Sequence, residues 1–159
     1  MSVSNYISQK GFDVLSAEYQ QLKTIERPKI IELVAWAASL GDRSENADYK
    51  YGKKRLREID SRLRFLSKRI AEAVIVDYLQ NKDKVIRFGA TVELQDCNGC
   101  SKIIHIVGVD EVDTISNKLS WRSPIAKAII GKTEDDAVTV LTPTGETEYQ
   151  IIHVSYLEW

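Results

Sequence analysis

Apolar residues in the first half of the chain recur at the spacing of helices. Between residues 8 and 40, Leu15, Tyr19 and Leu22 follow the 3-4 step of one helical face, and Ile30, Leu33, Ala37 and Leu40 continue it. Ser8 stands where it can cap this first helix. The step from Leu22 to Ile30 is eight residues, one more than a heptad, and Pro28 falls inside it. Proline removes a backbone donor, so a bend or local unwinding is expected near Arg27-Pro28. Trp36 falls on a second face near the end of this arm. A second arm is more regular: Tyr49, Gly52, Leu56, Ile59, Leu63, Leu66, Ile70 and Ala73 alternate steps of three and four, a heptad seam. Two such arms joined by a few residues lie antiparallel, because neither can bury its seam alone. At ~1.5 Å per residue the hairpin from Ser8 extends about 50 Å if its first arm is continuous.

The reversal falls in Leu40-Gly41-Asp42-Arg43-Ser44-Glu45-Asn46-Ala47-Asp48-Tyr49. Gly41 can take the left-handed conformation that ends a helix. Asp42 follows at an N-cap position, with Glu45 at capping-box spacing. Asp42, Glu45 and Asp48 thus crowd one turn. They offset a helix dipole, the simplest role for acids near a helix N-terminus. They also supply the hard oxygen ligands that suit magnesium.

From about residue 75 the pattern changes to strand-like runs at 85–94, 102–109, 118–121, 137–141 and 146–156. The polar stretch Gln80-Asn81-Lys82-Asp83 precedes them, and Pro143-Thr144-Gly145 joins the last two. Ser123-Pro124 caps a short helix over 125–130, closed by Gly131. The chain is therefore expected to be α+β, with an N-terminal antiparallel coiled-coil hairpin and a small antiparallel sheet domain with one short helix. The expected boundaries are a finger at 1–76, a linker at 77–83 and a C-terminal domain at 84–159. Neither a Gly-rich phosphate loop nor a nucleophile–base pair is visible, so no small-molecule substrate is expected.

Charge adds a feature that periodicity does not. Over 159 residues the net charge is −1, yet residues 50–69 carry 9 basic and 2 acidic side chains. Lys50, Lys54, Arg57, Arg64 and Lys68 lie away from the seam, while Lys53, Arg55, Arg62 and Arg69 flank it. The first arm offers mainly Glu18, Glu26 and Glu32 as partners, so most of this charge is expected to be unpaired. An unpaired basic stripe is an electrostatic footprint for nucleic-acid phosphate. Apolar content of 43% and charged content of 28% describe a globular chain. No apolar run reaches the ~20 residues of a membrane span and no signal-peptide core is visible, so a cytoplasmic protein without membrane contact is expected. Cys97-Asn98-Gly99-Cys100 surrounds Asn-Gly, which predicts a type I′ hairpin turn and not the helix start of a redox motif. A zinc site would need His105 and His153, at spacing unlike that of a finger.

The stretch from Trp36 to Tyr49, followed by Lys53-Lys54-Arg55-Leu56-Arg57-Glu58-Ile59-Asp60, closely resembles the bacterial transcript cleavage factors of the Gre family. The Gly-Asp-Arg-Ser-Glu-Asn tip and the basic downstream arm are nearer its GreB branch than GreA. Ser123-Pro124-Ile125-Ala126-Lys127 and Gly145-Glu146 extend the likeness over nearly the whole chain, while Arg122 stands where the family is expected to carry Asp or Asn. The resemblance implies an FKBP-like C-terminal fold, without prolyl isomerase activity, that docks on bacterial RNA polymerase through Ser123, Pro124, Ile125 and Lys127. It further implies that the finger enters the polymerase secondary channel and that Asp42 and Glu45 help to hold a second Mg2+ shared with the polymerase. Cleavage of backtracked nascent RNA at its 3′ end would then belong to the polymerase, and this chain alone would be no enzyme. Lys50, Lys53, Lys54, Arg55, Arg57, Arg64 and Lys68 would hold the extruded RNA by its phosphates. Readings of other classes are a channel-filling regulator that inhibits without cleaving, an RNA-binding coiled-coil module and a free-standing nuclease. Asp42 and Glu45 argue against the first, and the lack of a fuller carboxylate or histidine set against the last.

Overall fold

The computed structural model describes residues 4–159 as two compact units, one of Phe12–Glu72 and one uniting the segment up to Gly11 with Ala73–Trp159. The first unit is the helical hairpin. Helix α1 (Gln9–Gln21) runs through a π-helical turn (Leu22–Glu26) into α2 (Arg27–Ser39), and α3 (Ala47–Ala71) returns against α2. Ser8 caps α1 as expected, its hydroxyl accepting the Gly11 N–H at 3.1 Å. The expected unwinding is present but lies one turn earlier than Arg27-Pro28. Pro28 occupies the first turn of α2, and the Arg27 N–H donates to the Leu22 carbonyl five residues back. This wider turn absorbs the residue by which the Leu22-to-Ile30 step exceeds a heptad.

Along the seam of α3, Gly52, Ile59 and Leu66 are buried at every seventh residue, and the other seam residues Tyr49, Leu56, Leu63 and Ile70 are half-buried. A Cβ built at Gly52 would stand 2.7 Å from Val34 Cγ2, so this glycine lets α2 approach closely. Ala73, the last seam position by spacing, has left the helix and begins a strand.

In the second unit, β3 (Thr91–Asp96), β4 (Ser101–Val107), β5 (Lys118–Ser120), β6 (Ala137–Thr142) and β7 (Gly145–Ser155) form a sheet of order β5-β4-β3-β7-β6. Three pairs are antiparallel, whereas edge strand β5 runs parallel to β4. Alternate residues of β3, β4 and β6 (Val92, Leu94, Ile104, Ile106, Val138 and Val140), with Ile151 and Val154 on either side of a register shift in β7, form the core with Ala126 and Ile129 of α4 (Pro124–Ile129). Each such aliphatic side chain contributes ~1.5–3 kcal/mol of burial, so the sheet face and α4 form one core.

Three features depart from the sequence pattern. The run expected at 85–94 becomes strand only from Thr91, because Gly89 takes a positive φ of 88° beneath Tyr78 and turns the chain. Asn98-Gly99 does not form a type I′ turn: of the two residues only Gly99 has positive φ, and its N–H closes the turn on the Asp96 carbonyl. The expected division at 1–76, 77–83 and 84–159 also differs from the compact units. Strand β1 (Asn5–Ile7) pairs in parallel with β2 (Ala73–Ile75), which places both ends of the finger sequence in the sheet-bearing unit. The Glu111 carboxylate secures β1 by accepting from the Ser8 N–H, the Ser8 hydroxyl and the Gly108 N–H.

Candidate functional site

The finger tip begins where α2 ends. Leu40 is still right-handed helical, and Gly41 reverses the chain at φ 110°, a conformation that disfavours any side chain. Asp42 does not cap the next helix. It closes a small loop on itself, its Oδ1 accepting the Ser44 N–H at 3.0 Å and the Ser44 hydroxyl at 2.7 Å. The Ser44 hydroxyl first, then the Ser44 and Glu45 N–H groups, hold this exposed carboxyl below the usual aspartate value. Hydrogen bonds to the charged form explain the direction. Glu45 is exposed beside it and makes no capping box, and Asp48 lies in the first turn of α3.

The cap is Asn46, which periodicity did not single out. Its Oδ1 accepts the Tyr49 N–H at 3.1 Å, and its Nδ2 donates to the Ala37 carbonyl at 2.8 Å. One side chain thus starts α3 and ties it to the last turn of α2. Arg43 lies over the Tyr49 ring, 5.6 Å from its centroid. With Asn46 capping, Asp42 and Glu45 are released from structural duty in α3 and face solvent.

Behind the tip the basic arm divides into two sets. Arg55 donates to Glu26 at 2.7 Å and to Glu58 at 3.4 Å, and Arg62 pairs with Glu18 at 2.7 Å. Across the hairpin, Arg27 reaches Asp60 at 2.7 Å. Arg55, a member of the expected phosphate-binding set, thus has its guanidinium engaged by two carboxylates. Lys50, Lys54, Arg57, Arg64 and Lys68 are exposed, Lys53 is half-buried, and none of the six forms an ion pair within 4.0 Å among the described residues. Solvated cations at helical spacing along one arm make a surface suited to a polyanion. Two exposed aromatics flank the tip, Trp36 at 53% and Tyr51 at 60% exposure, and spacing alone assigned Trp36 only to a second face.

In the sheet-bearing unit, Ser123 caps α4 by accepting the Ala126 N–H at 3.3 Å. Pro124 and Lys127 are exposed and Ile125 is half-buried, so α4 presents a narrow outer face while Ala126 and Ile129 enter the core. Arg122 is exposed just before it. Cys97 and Cys100 are free and exposed, and His105 and His153 engage Thr91 and Glu134. Among the described residues no group of three or more His, Cys, Asp or Glu side chains is placed to hold a metal, and no helix is long and apolar enough to cross a membrane.

One unit thus carries an acidic turn on a basic helical arm, and the other carries the five-stranded sheet with α4. Comparison with known proteins gives the family. Residues 5–75 match the profile of the transcription elongation factor N-terminal domain, and residues 80–156 match that of the GreA/GreB C-terminal domain. Transcription elongation factor GreB of Neisseria meningitidis serogroup A is 48% identical over 155 residues, covering 97% of this chain and 95% of that protein. The factor of the same name from Haemophilus influenzae is 51% identical over 145 residues, covering 91% and 92%. That from Yersinia pestis is 46% identical over 156 residues, covering 98% and 91%. The chain belongs to the GreA/GreB family of transcription elongation factors.

Proposed function

We propose that this factor binds bacterial RNA polymerase, places its finger in the secondary channel, and stimulates the polymerase's own cleavage of backtracked nascent RNA. The observation that carries the reading is the release of two tip carboxylates, Asp42 and Glu45, from helix capping, with Asp42 held ionised by Ser44. Their oxygens fit Mg2+, which prefers hard, charged oxygen ligands. Two carboxylates without a third among the described residues make half a site, and the polymerase's carboxylates would supply the remainder. Bound there, the ion would stabilise attacking and leaving oxygens of a phosphodiester. The Asx loop at Asp42 aims and charges the ligand, Asn46 keeps the turn rigid, and the arm of Lys50, Lys53, Lys54, Arg57, Arg64 and Lys68 neutralises RNA phosphates without reading sequence. Stalled polymerase complexes incubated with the factor and magnesium should yield shortened RNA with a new 3′ end. RNA of unchanged length, with the factor bound, would favour a channel-filling inhibitor.

The arm predicts a salt signature. Replacing Lys54, Arg57 and Arg64 together with alanine should weaken cleavage of long extruded RNA more than polymerase binding. The log–log salt dependence of the RNA contact should flatten by about 2, since each lost phosphate contact on a single strand is worth ~0.7. An unchanged slope and cleavage rate in the folded variant would reduce the stripe to a solvated face.

Docking is assigned to α4 and its cap, at Ser123, Pro124, Ile125 and Lys127. Lys127→Glu inverts a charge on the exposed face without touching Ala126 or Ile129, so it should fold normally. Polymerase affinity is expected to fall by ~10-fold or more, the size of effect at a charged interface contact. Retained affinity, measured by competition with the parent chain, would move docking away from α4.

A further inference from the structure

We propose that Cys97 and Cys100 close into a reversible intramolecular disulfide, which makes the tip of the β3–β4 hairpin a thiol-oxidation site. They are the chain's two cysteines, and both are free and exposed. Neither belongs to the buried core or to the finger unit, and the proposed function gives neither a role.

The geometry of the loop favours closure. A disulfide needs its Cα atoms roughly 4.4–6.8 Å apart. Residues three apart in an extended chain are separated by about 10 Å, so only a tight reversal brings them into range. Here the reversal is held by the Gly99 N–H on the Asp96 carbonyl at 3.1 Å and by the Asp96 N–H on the Cys100 carbonyl at 3.0 Å. The Asp96 carboxylate adds the Asn98 and Cys100 N–H groups at 2.9 and 3.0 Å. Gly99 supplies the positive φ of 80° between the two thiols, and a Cβ at that position would meet no atom within 4 Å. Both cysteines are exposed, so a small oxidant can reach them. Metal chemistry is less complete at the same place. Zinc takes four ligands, whereas the pair belongs to no group of three or more candidate ligands among the described residues. A disulfide needs two thiols alone.

The oxidant class is a small organic disulfide. One cysteine thiolate attacks a sulfur of the oxidant, forming a mixed disulfide and expelling one small thiolate. The second cysteine thiolate then attacks the protein-bound sulfur, forming the Cys97–Cys100 bond and expelling the other small thiolate. Two protein thiols give up two electrons and two protons, and the oxidant becomes two thiols.

Incubating the full chain with oxidised glutathione, alkylating the remaining thiols and measuring intact mass tests the assignment without reference to transcription. The expected product has lost both alkylation sites, is lighter by two hydrogen atoms, carries no glutathione and regains both thiols with dithiothreitol. Cys100→Ser should instead trap one glutathione on Cys97. In urea, at the same glutathione ratio, the closed fraction should correspond to an equilibrium constant at least ~10-fold lower, because the hairpin no longer preorganises the pair. Stable glutathione on both cysteines, disulfide-linked dimers, unreacted thiols or an unchanged constant in urea would each overturn the proposal.

Discussion

The Asp42→Asn, Glu45→Gln double variant is expected to fold and bind polymerase like the parent chain while losing at least ~10-fold in cleavage stimulation, the scale of loss when a group that holds a metal is altered. The asparagine keeps an oxygen that can accept from the Ser44 N–H and hydroxyl, so the loop that Asp42 closes need not open. Glu45 accepts no helix N–H as a cap, and Asn46 secures α3 unchanged. The substitutions therefore remove two charges and little structure. Rising magnesium should restore part of the activity, because a weaker site fills at higher ion concentration. Acidity gives a second check with a defined sign. A depressed folded-state value means that the loop's contribution is present above the ordinary aspartate value of 3.8 and is lost as pH falls through the lower folded value. Titration of Asp42 should then produce no acidic limb in cleavage near neutrality. Full cleavage by the double variant, with RNA sized after a single incubation, would remove the carboxylates from the mechanism and leave a channel-filling role.

Ile59→Ala should be among the most damaging single truncations in the finger, alongside the equally buried Leu66→Ala. Ile59 is 0% exposed at the middle of the α3 seam, and removing a buried isoleucine side chain costs ~2–5 kcal/mol through lost transfer energy and the cavity left behind. Half-buried Leu56, one turn away on the same seam, should cost less on the same change. Exposed Tyr51→Ala should stay within ~0.5 kcal/mol, as surface substitutions generally do. Urea unfolding followed by helical circular dichroism orders the three. If Leu56→Ala proved as costly as Ile59→Ala, the burial gradient along the seam would not set hairpin stability.

Much of this architecture was legible because helical and strand periods are local. The 3-4 repeat from Tyr49 to Ile70 coincides with the buried stripe of α3, and Ser8, Ser123-Pro124 and Gly131 mark helix ends by side-chain and backbone chemistry confined to a few residues. The extra residue before Pro28 announced an irregular turn, although the wider hydrogen-bonding ring settled over Leu22–Glu26. At the tip, composition identified the acidic cluster but not its division of labour. Asp42 and Asn46 are both good N-caps, and the choice between them depends on Asn46 reaching the Ala37 carbonyl on the facing helix. That bond spans nine residues and exists only once the arms have packed.

Sequence by itself determined the antiparallel helical hairpin, the acidic turn, the basic arm and the likeness to Gre factors, since each rests on spacing or residue type within a short window. Tertiary structure alone decided which charges are free. Arg55 and Lys54 are neighbours with the same sign, yet the heptad places Arg55 against Glu26 of the facing arm and leaves Lys54 in water. It also decided that β1 and β2, at opposite ends of the finger sequence, pair in parallel, and that Glu111 secures β1 from more than one hundred residues away. Strand pairing and carboxylate bonding satisfy backbone groups wherever a partner arrives in space, and a one-dimensional period carries no record of that arrival.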